Sequence, residues 1–180
     1  MHHLMLAIAL ASPPSSPTDT AQQQRARVAL AWADEQLGVP YAWNGRGTSR
    51  LPGLDCLGLV FGAWGHATGT PWRAYPVNPS ELVASGRLGG HVEGVDGVLR
   101  ATVDDELLLP GDMLYFLLRG YRIDDAPLLQ LDGHDYWPWH VGLYVGDGLV
   151  VHAEPGGVVR RQALGELRFD ALLATRVGAP

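Results

Sequence analysis

Residues 140–154 read HVGLYVGDGLVVHAE, two apolar runs rich in β-branched residues and joined by Asp147-Gly148. Asp-Gly suits the two central positions of a hairpin turn in which both residues take positive φ, the turn whose twist matches that of its strands. The stretch therefore commits the chain to an antiparallel strand pair. It also brings His140 and His152 onto adjacent strands, in a register that the turn alone does not set.

Other strands are expected around that hairpin. MLYFLL (113–118) follows Pro110-Gly111-Asp112, and GVVRR (157–161) follows Pro155-Gly156. The first half reads differently. QQRARVALAWADEQLG places Val28, Ala29, Trp32, Ala33 and Leu37 at helical spacing, with Gly38 as a stop. VPYAWNGRGTSRLPG is full of turn formers and is expected to be an ordered loop. In LPGLDCLGLVFGAW, Asp55 is placed to cap a helix that buries Leu59, Val60 and Trp64. A short helix around Leu82 and Val83 is expected next, and residues 91–106 are left unassigned. Helices first and meandering strands later predict an α+β domain, helices packed on a central antiparallel sheet.

At 180 residues the chain suits one domain, expected over residues 21–180. SPPSSPTDT (12–20) reads as a linker. Before it, Leu4–Ala11 is a short apolar run ending in Ala-Leu-Ala, read either as a secretory signal or as a disordered leader. No run reaches the ~20 apolar residues of a membrane span. Net charge is −6 and all thirteen basic residues are scattered arginines, which argues against a nucleic-acid surface. Neither HExxH nor CxxC occurs, so neither a metal nor another cofactor is expected.

Cys56 is the one cysteine, so it has no partner for an internal disulfide. It is either a small core residue or a nucleophile. Thiolate is the reactive form, and a free thiol with pKa ~8.5 is mostly protonated at neutral pH. A helix N-terminus and a nearby imidazole can both activate it. Of seven histidines, His140 and His152 stand on the hairpin, so one could take the thiol proton while the other orients it.

DCLGLV, then PGD ahead of an apolar strand, then HVGLYVGDGLVVHA, resemble the signature set of the NlpC/P60 cysteine peptidases. That family shows Asp-Cys-Ser-Gly-Leu-Val, a His-Val-Gly-Ile-Tyr strand, and a second histidine twelve residues on, the interval from His140 to His152 here. PYAW (40–43) resembles its Pro-Tyr-x-Trp-Gly-Gly element. The likeness covers about residues 26–162. It implies a papain-like α+β fold, with Cys56 as nucleophile, His140 as base, His152 as orienting residue and a Tyr41 hydroxyl near the oxyanion. Asp55, Trp43 and Trp139 are the expected substrate contacts. The implied substrate is a peptidoglycan stem peptide, cut by a monomer at the γ-D-glutamyl bond to a diamino acid, in a secreted or periplasmic setting.

Two departures qualify the resemblance. Leu57 stands where the family has a serine that, with the aspartate, holds a free N-terminal ammonium. DCLGLV with a following Trp is also similar, more weakly, to the phage-tail cell-wall peptidases. Residues 119–139 are longer than the usual connection and are expected to form a rim or lid. Their Tyr121, Tyr136, Trp137 and Trp139 are read as either a binding surface or a local core. With the same site residues, an amidase or acyltransferase acting on another substrate, or a binding module without catalysis, remains open.

Overall fold

The computed structural model describes residues 17–121 and 123–178. The expected leader at residues 1–11 lies outside them. Helix α1 (Pro17–Glu35) starts within the stretch read as linker, with proline at its first position, where the missing N–H costs no hydrogen bond. Its core face is narrower than the spacing predicted. Ala26, Ala29 and Ala33 are buried, whereas Leu37 lies past the helix end and is 44% exposed. Small residues there let α1 approach helix α2 (Cys56–Thr68) closely. The ring of Trp32 packs against Gly62 of α2, and a Cβ at Gly62 would come within 2.2 Å of it.

Helix α2 forms as expected. Asp55 is its N-cap, and Leu59, Val60 and Trp64 are buried. A short α3 (Pro79–Ser85) buries Leu82. The unassigned segment holds two-residue strands β1 (Gly90–His91) and β2 (Val98–Leu99). Then come β3 (Met113–Arg119), β4 (Leu129–Leu131), β5 (His134–Gly146), β6 (Leu149–Ala153), β7 (Val159–Ala163) and β8 (Ala171–Arg176). They form one antiparallel sheet of order β1-β8-β3-β5-β6-β7, with β2 paired to β8 and β4 to β5. The last strand, from DALLATR, enters next to β3 at the sheet centre.

The β5–β6 turn is the hairpin that the sequence requires, with φ of 51° at Asp147 and 69° at Gly148. Strand alternation divides the core. Met113, Tyr115, Leu117, Val141, Leu143 and Val151 pack under the helices. Leu114, Phe116, Tyr144, Val150 and Leu172 build a second core on the opposite face.

Strand β5 is longer than the apolar run, reaching back to His134 through Trp137-Pro138-Trp139. The insertion aromatics divide between the two readings. Tyr136 and Trp137 are buried as a local core, Trp139 is half-buried and donates its indole N–H to the Arg168 carbonyl at 2.7 Å, and Tyr121 is exposed.

Candidate active site

The loop of residues 36–55 delivers Cys56 to the first turn of α2. It is tied to the sheet by Tyr41 N–H donating to the Gly157 carbonyl, and to itself by bridges of Leu54 with Tyr41 and Arg46. Asp55 ends it in extended backbone, and its carboxylate Oδ1 accepts the Gly58 N–H at 2.6 Å. The same oxygen accepts from the Arg46 guanidinium at 2.6 Å. Both partners are buried, and Arg46 also lies against the rings of Phe61 and Trp72. Gly45 has no room for a side chain, because a Cβ would come within 2.7 Å of the Gly53 carbonyl group.

Cys56 and His140 border the same cleft, about 360 Å³ in volume, with Trp43, Asp55, Tyr121 and Trp139 also lining it. Thus all three expected substrate contacts lie at its wall, Trp43 with an indole 87% exposed. The long connection supplies the outer wall through Tyr121, Ile123 and Asp124. It is fastened by Asp125, whose carboxylate accepts the Ser80 N–H at 3.0 Å and the Ser80 hydroxyl at the start of α3.

His140 and His152 meet edge to face, with His140 Nε2 and His152 Nδ1 2.9 Å apart. Beyond them, His152 Nε2 lies 3.2 Å from Gln162 Oε1. Both rings are buried, His140 between Phe116 and Trp139. His140 Nδ1 has no hydrogen-bond partner among the described residues, although it is shut off from solvent.

Gly142 lets β6 lie close to β5 beside this pair. A Cβ there would come within 2.7 Å of Val150 Cγ1, 3.1 Å of the Val151 carbonyl oxygen and 3.2 Å of His152 Cβ, so the strand that carries His152 packs directly on this glycine. Gly142→Ala is expected to cost about 1–3 kcal/mol by overpacking and to displace His152. Chemical denaturation together with a crystal structure of the variant checks both effects.

Burial first, and then the charge on Asp55, push the Cys56 thiol up to about 12, while the backbone N–H groups of Val141, Leu57 and Cys56 pull it down. Burial, then His152, lower His140 to about 3. At pH 7 the cleft is therefore bordered at rest by a neutral thiol and a neutral imidazole. Either charge formed alone is disfavoured, but moving the thiol proton onto His140 forms both together, and they stabilise each other. Burial, then Cys56 and Asp55, raise the Tyr41 hydroxyl to about 12, so it stays a proton donor next to the thiol.

The two imidazoles also set a pH dependence. Burial lowers His152 as well, against the pull of Gln162 and Glu154. Above the ordinary histidine value of 6.5 both are neutral, folded or unfolded, and contribute nothing. Between there and about 3 the unfolded chain binds more protons, so stability falls as pH falls. Each group contributes at most about 1.4 kcal/mol per pH unit. Urea midpoints at pH 7 and pH 5 should separate by more for the wild type than for His140→Phe. Parallel losses would remove His140 from this account.

Of the site residues expected from sequence, Cys56, His140, Asp55, Trp43 and Trp139 share the cleft, and His152 stands behind His140. Tyr41 touches the Cys56 surroundings without lining the cleft itself. Arg46 and Gln162 were not singled out. Nothing in a turn-rich loop marks Arg46 as buried, and Gln162 needs the β6–β7 register, in which Val150 pairs with Gln162 and His152 with Arg160.

No family model matches the chain. Among curated proteins it is 32% identical over 145 residues to probable endopeptidase Rv2190c of Mycobacterium tuberculosis, covering 81% of this chain. It is 28% identical over 141 residues to probable endopeptidase YafL of Escherichia coli, covering 77% of this chain. The chain spans only 27% of the first and 44% of the second.

Solved structures share the fold. The P60 domain of the M. avium paratuberculosis antigen MAP1272c superposes with TM-score 0.54 and 21% identity, covering 88% of this chain and 97% of that one. The M. tuberculosis peptidoglycan hydrolase RipB gives 0.53 and 22%, covering 94% and 74%. RipD of M. tuberculosis, described as a non-catalytic NlpC/p60 domain protein adapted to peptidoglycan binding, gives 0.51 and 22%, covering 86% and 98%.

Proposed function

We infer from its membership of the NlpC/P60 family that this chain is a cysteine peptidase acting on peptidoglycan stem peptides. The observation that carries the reading is the buried, unpartnered Nδ1 of His140, a residue that lines the same cleft as Cys56. A binding domain gains nothing from a thiol and a buried, unpartnered imidazole nitrogen at one cleft, since an unmet buried polar atom costs about 1–3 kcal/mol. Acyl transfer does need that nitrogen.

In this mechanism the S–H proton of Cys56 passes to His140 Nδ1 as sulfur attacks the substrate carbonyl. N–H groups at the start of α2, together with the Tyr41 hydroxyl, stabilise the oxyanion. Collapse breaks the C–N bond, and the proton on Nδ1 goes to the leaving amine, leaving a thioester on Cys56. Water, deprotonated by His140, attacks the thioester, and the proton returns to sulfur as the carboxylic acid product departs. His152 supports His140 through the 2.9 Å contact while it is an imidazolium.

The bond between γ-D-glutamate and the diamino acid is the proposed target, in a chain working at the cell envelope. The test is digestion of purified sacculi, with the released fragments identified by mass spectrometry. Fragments ending in γ-D-glutamate are the expected product. An unchanged muropeptide pattern from a folded protein would contradict the reading, and products that carry an added amine would turn it toward a transferase.

A further inference from the structure

We propose that Gln162 is a positioning residue whose side-chain carbonyl sets the tautomers of His152 and, through it, of His140, so that His140 offers a bare Nδ1 to Cys56. The inference rests on the reading of Cys56 as the nucleophile.

A neutral imidazole carries one N–H donor and one acceptor nitrogen, so a line of two imidazoles has only two possible polarities. The residue at the far end selects between them. Gln162 Oε1 only accepts, and it faces His152 Nε2 at 3.2 Å, so that nitrogen holds the proton. His152 Nδ1 is then a lone pair, and His140 Nε2, 2.9 Å away, donates to it. His140 is left with its lone pair on Nδ1, the buried atom without a partner. The opposite polarity would put a proton there, and the thiol would face a donor instead of a base.

The position of Gln162 follows from the sheet. His152 pairs with Arg160 across the β6–β7 ladder, and Gln162 is two residues further on the same face, a diagonal neighbour within reach of a long side chain. The charged groups around His152 are Glu154 and Arg160, which pair with each other at 3.1 Å and act on the ring in opposite directions. On the other side His140 meets the rings of Phe116 and Trp139 and shares its cleft with Cys56 and Asp55. Gln162 is thus the neutral acceptor that gives the pair its direction. It lies on β7, at the edge of the sheet, and is half-exposed at this position, so the fold tolerates replacement there.

Nitrogen-15 NMR of the histidine-labelled full chain at pH 7 reads the tautomers directly, without turnover. The wild type should show His140 Nδ1 and His152 Nδ1 as unprotonated nitrogens and both Nε2 atoms as protonated. In Gln162→Leu the His140 signals should become a mixture of tautomers, and kcat should fall by ~10- to ~10²-fold with KM unchanged. That loss stays below the ~10⁴-fold cost of a wrong tautomer in an analogous triad. Gln162→Glu keeps the acceptor and should restore the wild-type tautomer, while its charge moves the acid limb of the pH profile upward. A proton on His140 Nδ1 in the wild type, or unchanged tautomers in Gln162→Leu, would overturn the proposal. A wild-type chain that shows the bare Nδ1 yet cleaves no peptidoglycan would uphold the relay and count against the function instead.

Discussion

Cys56→Ala is expected to lower peptidoglycan cleavage by at least ~10⁴-fold, the scale on which removing the nucleophile of a covalent mechanism acts, while leaving the fold in place. Position 56 opens α2, where alanine is the best helix former, and the cap from Asp55 to the Gly58 N–H does not involve the side chain that is lost. Urea midpoints of wild type and variant should therefore agree within about 1 kcal/mol.

Two companion variants separate nucleophile from base. Cys56→Ser keeps the shape but offers a hydroxyl that is a far weaker acid than the thiol, so activity stays lost. His140→Ala removes the proposed acceptor of the thiol proton, and a loss of ~10²- to ~10⁴-fold is expected. Since the resting thiol is neutral, with burial and Asp55 pushing it up to about 12, sulfur without its base has little thiolate to offer at pH 7. Substantial activity in His140→Ala would mean that another group takes the proton.

Arg46→Met should cost about 3 kcal/mol or more, the usual result of removing one member of a buried ion pair. Arg46 holds Asp55 at 2.6 Å and the Gly45 carbonyl at 2.8 Å, and both oxygens face inward. Methionine fills much of the space against Phe61 and Trp72 but leaves the carboxylate with only the Gly58 N–H and the start of α2. The strain falls one residue from Cys56, so activity should decline together with the urea midpoint. Asp55→Asn with Arg46→Met, tested as a double-mutant cycle, should recover part of the loss. Additive losses would mean that the pair does not couple.

Much of the framework could be read in the sequence because its signals are local. The Asp147-Gly148 turn fixes a hairpin whatever surrounds it, and Asp55 ahead of an apolar helix marks the start of α2. Signals that depend on tertiary context were harder to read. Pro17 looks like linker beside Pro13 and Pro14, yet it is also the natural first residue of a helix. Leu37 fits the helical period but falls beyond the last turn, where it meets solvent. Trp137-Pro138-Trp139 looks like a loop, and it continues β5 through a register shift opposite Phe116 and Leu117. DALLATR is a short apolar run that local pattern cannot tell from a buried helix segment, and only pairing with β3 makes it a strand.

The same distinction applies to the site. Cys56, His140 and His152 stand in motifs whose order survives without coordinates. The contacts that tune them, Arg46 on Asp55 and Gln162 on His152, join residues 9 and 10 positions apart through loop and sheet geometry. No periodicity encodes such pairs. Leu57 lines the cleft where the resembled family has a serine, and Asp55 is paired to Arg46.

The most direct test of the central claim is the mass of the intact protein after brief exposure to a stem-peptide substrate and acid quench. If sulfur attacks the amide carbonyl, a fraction of the chain gains the mass of the acyl half of the substrate. Peptide mapping then places that mass on Cys56, and His140→Ala fails to acquire it. Product formation with no adduct at any quench time, or an adduct on another residue, would contradict the account.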